Sequence, residues 1–270
     1  MPPEPLTIAL RNGTFQAEVL RSGRGEPLMY LHGAVGHKGW APFLDRLAEH
    51  YTVYAPYIPG FSKSTGLEYL EDVVDLTLYH LELMDALGLA SAHLVGHFLG
   101  GMIAAEMSAL SPNYVKGLVL VAPAGLWRDD APVADILAMN SAELREHLWA
   151  ASTGAAGVTD ADREAAERAQ ELLELERVQD LTATGKFLWP IPDRGLKRRA
   201  YRIKAPTLII WGEQDRLIPP VYADDFADLI SGSQVAMLAN AGHLPMLEQP
   251  DAFADTIIQF LAEIPLSPVL

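Results

Sequence analysis

Three groups of residues in this chain could do chemistry together. His243 follows Ala241-Gly242, Asp215 closes the run Trp211-Gly212-Glu213-Gln214-Asp215, and Gly96-His97-Phe98-Leu99-Gly100-Gly101 forms a glycine-bracketed turn. A histidine can take a proton from a nucleophile and return it to a leaving group. A buried carboxylate fixes that histidine's tautomer and stabilises the imidazolium. A turn of the G-x-S-x-G kind presents the nucleophile itself on a sharp bend between a strand and a helix. Here the central position is Phe98, and a phenyl ring attacks nothing. Two members of a relay are present, and the third position holds a residue that cannot serve it.

The elements around these residues must bring them to one place. Ala92–Val95 reads as a buried strand leading into the turn, and Met102–Leu110 has helical spacing after it. Strands are expected at Phe15–Arg21, Pro27–Leu31, Tyr51–Ala55, Val115–Val121, Thr207–Trp211 and Gln234–Leu238. Helices are expected at Trp40–His50, Leu70–Leu87 with Gly88 as its C-cap, Val221–Ile230 and Asp251–Ala262. Asn12-Gly13 favours a hairpin turn. Alternation of this kind implies an α/β fold, a mostly parallel twisted sheet with helices on both faces. Phe98, Asp215 and His243 then all follow strand C-termini, the edge at which open parallel sheets bind ligands.

Between residues 124 and 200 the pattern changes. No convincing buried strand occurs there. The stretch "MNSAELREHLWAAS", with Asn140 and Glu143 spaced for a capping box, and "TDADREAAERAQELLELERV", with Thr159 and Asp162 similarly placed, read as helices. Lys186–Pro192 is apolar and proline-broken. The expected division is a first core part over 1–123, a helical insertion over 124–200 and a second core part over 201–270.

The chain resembles the α/β-hydrolase family, of the capped esterase and lipase kind. The likeness rests on five stretches in order: Leu31-His32-Gly33, Pro59-Gly60, the Gly96–Gly101 turn, Trp211–Asp215 and Ala241-Gly242-His243. It implies the α/β-hydrolase fold, with 124–200 as the cap. It also implies hydrolysis of a carboxylic ester or a related bond, His243 and Asp215 as base and orienting acid, and Phe98 at an inactive nucleophile position. The backbone N–H groups of Ala34 and Leu99 become the oxyanion donors. No cofactor and no metal are expected. His32 is expected to brace its loop, His97 to pack beside the elbow, Glu213 to be structural, and Phe187 and Trp189 to belong to the cap core.

Other departures from the family pattern fall at the same sheet edge. Where the family has Asp-x-Pro-Gly-x-Gly, this chain reads Tyr57-Ile58-Pro59-Gly60-Phe61-Ser62, and the loop after Gly33 carries His37 and Lys38. These changes introduce capable groups, so Lys38, His37, Tyr57 and Ser62 are pocket candidates. Scattered losses would suggest decay. Clustered ones suggest a site rebuilt by natural change of function or by engineering. Three roles stay open at this point: an esterase scaffold without the acyl-enzyme route, a non-covalent or amine catalyst using His243–Asp215 or Lys38, and a non-catalytic ligand-binding protein.

Composition bounds the rest. The 270 residues carry 35 acidic and 20 basic side chains, a formal net charge of -15. Nucleic acid and anionic membrane surfaces would repel such a chain, which leaves a small-molecule substrate or ligand as the expected partner. There is no cysteine, so disulfides and thiolate chemistry are excluded. No basic, apolar leader is evident at the start, and no apolar run approaches the roughly 20 residues of a membrane span. A cytoplasmic location is the expectation.

Overall fold

The Asn12-Gly13 turn is where the sheet begins. A computed structural model of the chain describes residues 2–33, 39–150, 178, 180–189, 191 and 194–265. Strand β1 (Glu4–Leu10) runs antiparallel to β2 (Phe15–Gly23), with Leu10 opposite Phe15. Arg11, Asn12 and Gly13 between them all take positive φ, as a tight reversal requires. β1 was not among the expected strands. Its burial alternates along a half-exposed edge, so it lacks the continuous apolar run of the central strands.

The remaining strands are β3 (Pro27–Leu31), β4 (Thr52–Pro56), β5 (Ala92–His97), β6 (Val115–Val121), β7 (Thr207–Gly212) and β8 (Gln234–Leu238). The eight lie in the order β1-β2-β4-β3-β5-β6-β7-β8. From β4 through β8 every pairing is parallel, and only β2 runs against its neighbours. β4, β5 and β7 are buried at every position, which requires cover on both faces.

That cover is helical. Helix α1 (Pro42–Ala48) packs on α8 (Pro250–Ala262), with the rings of Phe43 and Phe253 edge to face at 5.4 Å. Helix α2 (Val73–Ala86) packs on α3 (Leu99–Leu110). Asp72 caps α2 by accepting from Val74 N–H and Asp75 N–H, and Gly88 takes a positive φ beyond its end. Helices α6 (Tyr222–Leu229) and α7 (Pro245–Glu248) complete the core.

The described residues between 124 and 200 form helices, turns and loops, without a strand. Helix α4 (Ser141–Leu148) carries the capping box, Asn140 and Glu143 each satisfying the other's backbone N–H. A further helix, α5, covers 180–188 and runs into the proline-broken segment. Phe187 is fully buried there, whereas Trp189 is 53% exposed and so does not join a cap core. Most of the helix expected from Thr159 onward lies outside the described residues. A buried ion pair joins α3 to the chain that returns from this region: Arg199 Nε donates to Glu106 Oε2 at 2.7 Å, with Glu106 inaccessible to solvent.

Candidate active site

The elbow forms because its neighbours leave no alternative. Phe98 has φ 50° and ψ −110°, a conformation rare for a residue with a side chain. Its N–H donates to Val121 O, and its carbonyl accepts from Met102 N–H and Ala124 N–H, each at 3.0 Å. The bend brings α3 hard against β3. A Cβ on Gly100 would stand 2.1 Å from Leu31 O, and one on Gly96 2.3 Å from Gly100 O, so no larger residue fits either position. Leu99 opens α3, and its N–H has no partner within the helix.

Asp215 is held just as firmly. Its Oδ1 accepts from Leu217 N–H at 2.8 Å and Ile218 N–H at 2.9 Å, while Oδ2 accepts from His243 Nδ1 at 2.8 Å. The Trp211 indole donates to Ile218 O and fixes the same turn. Both side chains of the Asp215–His243 pair are inaccessible to solvent. With the Nδ1 proton directed at the carboxylate, His243 Nε2 is left with its lone pair free. That atom is buried and has no hydrogen-bond partner. The Phe98 and His243 rings meet edge to face, with centroids 5.1 Å apart.

The histidine loop is anchored from two sides. His97 Nε2 donates to His243 O at 3.0 Å. His243 N–H donates to Leu148 O at the end of α4. Glu248, which the sequence did not single out, accepts from Gly242 N–H at 2.6 Å and from Ala150 N–H at 2.7 Å. One carboxylate thus ties the histidine loop to the chain leaving α4. The only sequence signal for it is an acid five positions past the histidine, and the amides it serves have no signature. His32 accepts from Ile58 N–H at Nε2 and donates from Nδ1 to Gly33 O, so it braces its loop. Glu213 is exposed.

Phe98 also closes a narrow apolar cavity beside α5. Met102, Leu126, Val133, Ile136 and Leu188 line it, with Thr184 and Arg194 as polar members. The hollow spans about 490 Å³ with the open solvent at its mouth included, of which about 20 Å³ is room for the centre of a water molecule.

The structure therefore brings together Phe98, Leu99, Asp215 and His243. Ala34, His37 and Lys38 lie outside the described residues. Tyr57 is half-buried, its hydroxyl lying against Gly39, and burial followed by the charge of Glu18 pushes its pKa up. It is not among the described residues lining the cavity. Ser62 is exposed at φ 49° and is likewise not among the described residues lining that cavity. The turn after Pro59-Gly60 still demands the left-handed backbone that glycine adopts freely. Among the described residues no cluster of His, Asp or Glu could hold a metal ion.

The strand order, the strained elbow and the buried Asp–His pair after β7 and β8 define an α/β-hydrolase architecture. The model of the alpha/beta hydrolase family matches residues 28–256, and the chain belongs to that family. It is 30% identical over 249 residues to Lipase 1 of Psychrobacter immobilis, covering 87% of this chain and 77% of that one. It is 30% identical over 274 residues to monoacylglycerol lipase ABHD6 of Mus musculus, covering 90% and 78%. Among solved structures, a membrane phospholipase A superposes with a TM-score of 0.80 at 24% identity, over 97% of this chain and 87% of that one.

Proposed function

We propose that this chain is a lipase- or esterase-type α/β-hydrolase from which the acyl-enzyme route has been removed, and that its pocket holds a small apolar molecule as a ligand. The observation that carries this reading is Phe98. Its ring occupies the elbow, packs against His243 and walls the cavity. Acyl transfer needs an oxygen or sulfur within hydrogen-bond reach of the His243 base, and a phenyl ring supplies neither. The apolar lining supports a hydrophobic ligand. The net charge of -15 supports a small-molecule partner over nucleic acid or an anionic membrane, and the reading assumes a cytoplasmic setting.

The test is intact-mass detection after incubation with an activated ester, together with a fluorophosphonate probe. The expected result is no stoichiometric adduct on the wild-type chain. A stable adduct on any serine would establish a displaced nucleophile and end this reading.

A second reading has one specific observation behind it. His243 Nε2 is a buried acceptor without a partner, held in orientation by Asp215. Such a nitrogen can act as a general base toward water or a carbon acid, with Leu99 N–H steadying the developing oxyanion. Turnover of lactones, esters or aldols that His243→Ala abolishes would favour this reading over simple binding.

A further inference from the structure

We infer that the open edge of β8 is an interaction surface whose partner is a second copy of this chain, the two strands pairing antiparallel across a two-fold axis at Ala236. The inference is independent of the reading of the elbow. β8 is the end strand of the sheet, and among the described residues no strand lies beyond it. It is also the most exposed of the parallel strands. Its peptide groups divide by alternation. Leu238 O accepts from Glu213 N–H, so Leu238, and with it Ala236 and Gln234, turn toward β7. The N–H and C=O groups of Val235 and Met237 therefore point away from the sheet. The same two residues hold their side chains in solvent, 41% and 40% exposed, while Ala236 and Leu238 pack against the core from the other face. An open edge flanked by exposed apolar side chains is a template for another strand.

Charge and symmetry decide which strand. Residues 230–242 contain no Asp, Glu, Lys or Arg, in a chain of net charge -15. Two copies repel each other through that net charge, and along this run they meet without opposing like charges directly. The other edge of the sheet, β1, carries Glu4 and Pro5, residue types that blunt an open edge. A contact between β8 and the β1 of another copy would also be head to tail and free to add further copies. β8 against β8 closes at a dimer.

The spacing of the outward groups fixes the register. With Val235 opposite Met237 of the second copy, each N–H donates to the other's C=O, and the two-fold axis repeats the arrangement. Val235 and Met237 then become cross-strand neighbours and cover each other on the exposed face. Ala236 meets its own counterpart at the axis. That is the closer, non-hydrogen-bonded position, and a small side chain fits it. A five-residue edge is short against the roughly 1,600 Å² of a standard interface, so the association is reversible. It bears on the site because β8 leads through residues 239–242 to His243. A second copy gives the strand that carries the base a neighbour on its open side.

The experiment is sedimentation velocity of the full chain from micromolar to millimolar concentration, with hydrogen exchange on the same samples. The expected result is a reversible monomer–dimer equilibrium. As the dimer fills, the Val235 and Met237 amides should exchange more slowly, and the melting temperature should rise with concentration. Val235→Lys combined with Met237→Lys should stay at monomer mass with an unchanged circular dichroism spectrum, because both side chains are exposed. Thr7→Lys, on the exposed β1 edge, should leave the dimer intact. Exchange in the wild type needs no substitution, so a poorly folded variant does not weaken the test. A monomer at every concentration overturns the inference. So does a dimer whose Val235 and Met237 amides exchange at the monomer rate, a dimer lost in Thr7→Lys and kept in the double variant, or growth beyond two copies.

Discussion

Phe98 holds a backbone conformation that its own side chain does not need. A non-glycine residue at φ 50° and ψ −110° stores on the order of 1–3 kcal/mol. The bend persists because Val121, Met102 and Ala124 bond its peptide groups and because Gly96 and Gly100 admit the close approach. A serine at 98 would therefore meet a turn already formed, with a buried Asp215–His243 pair beside it. Phe98→Ser is expected to gain hydrolysis of short-chain esters, and Phe98→Ser combined with His243→Ala is expected to lose that gain. General-base assistance is worth roughly 10²–10⁴-fold, but a misplacement of about 1 Å can remove on the order of 10²-fold, so the recovered rate should be modest. Circular dichroism must accompany the assay, since emptying a buried aromatic site costs about 3–5 kcal/mol. A folded single variant without His243-dependent hydrolysis would mean that the site is not a hydrolase triad lacking one member. At this scale the sequence was informative where side chains do the chemistry. His243, Asp215 and Phe98 could be located by type and spacing, whereas the left-handed backbone of Ser62 has no signature in its residue type.

At the scale of elements, the sequence was legible in most strands, from the fully buried β4, β5 and β7 to the alternating β2 and the largely exposed β8. Most of the parallel strands are apolar runs followed closely by glycine or proline, and their order along the chain foreshadowed the sheet. β1 escaped because it is a half-exposed antiparallel edge whose only buried residue is Leu10, whereas the alternating β2 buries Phe15, Ala17 and Val19. The helical ends were written in Gly88 and the Asn140–Glu143 box, whereas α2 starts at Val73 behind its Asp72 cap and not at the expected Leu70. What the sequence could not express is the tie between elements that Glu248 makes, because its partners are two backbone amides. A carboxylate presents an acceptor to each amide. A carboxamide presents one acceptor and sets an N–H against the other. Glu248→Gln should therefore free either Gly242 or Ala150, at a cost of about 1–3 kcal/mol for the unsatisfied group. Native-state hydrogen exchange should show faster exchange at residue 242 or 150, and the melting temperature should fall by several degrees. Unchanged exchange at both amides would show that the carboxylate does not hold the histidine loop to the end of α4.

At the scale of the whole molecule, the core sets the pH range in which the fold is stable. His80 lies on α2, wholly buried, with Nδ1 donating to Leu76 O and Nε2 without a partner. Burial lowers its pKa to about 4, an effect that the Leu76 bond only partly offsets. The unfolded chain holds this imidazole near 6.5. Between the two values the unfolded state binds the proton and the folded state does not, so stability falls as pH drops from about 6.5 toward 4 and levels off below that. From pH 8 to pH 5 the loss from His80 alone should be about 2 kcal/mol. His93 works in the same direction, its pKa lowered by burial and only partly restored by Glu26. Glu26, held low chiefly by its bond to Lys116, adds a further loss as pH falls through the carboxylate range. Because several groups contribute, the wild-type slope alone does not assign the effect. His80→Leu removes the proton-binding site while keeping an apolar side chain in the core. Urea unfolding at pH 8 and pH 5 should show the wild type losing about 2 kcal/mol more than His80→Leu over that interval. The absolute stability of the variant does not matter, because the comparison is of slopes. Parallel slopes for the two proteins would mean that the imidazole finds a counter-charge or water on protonation, and that the core does not enclose it as tightly as its burial implies.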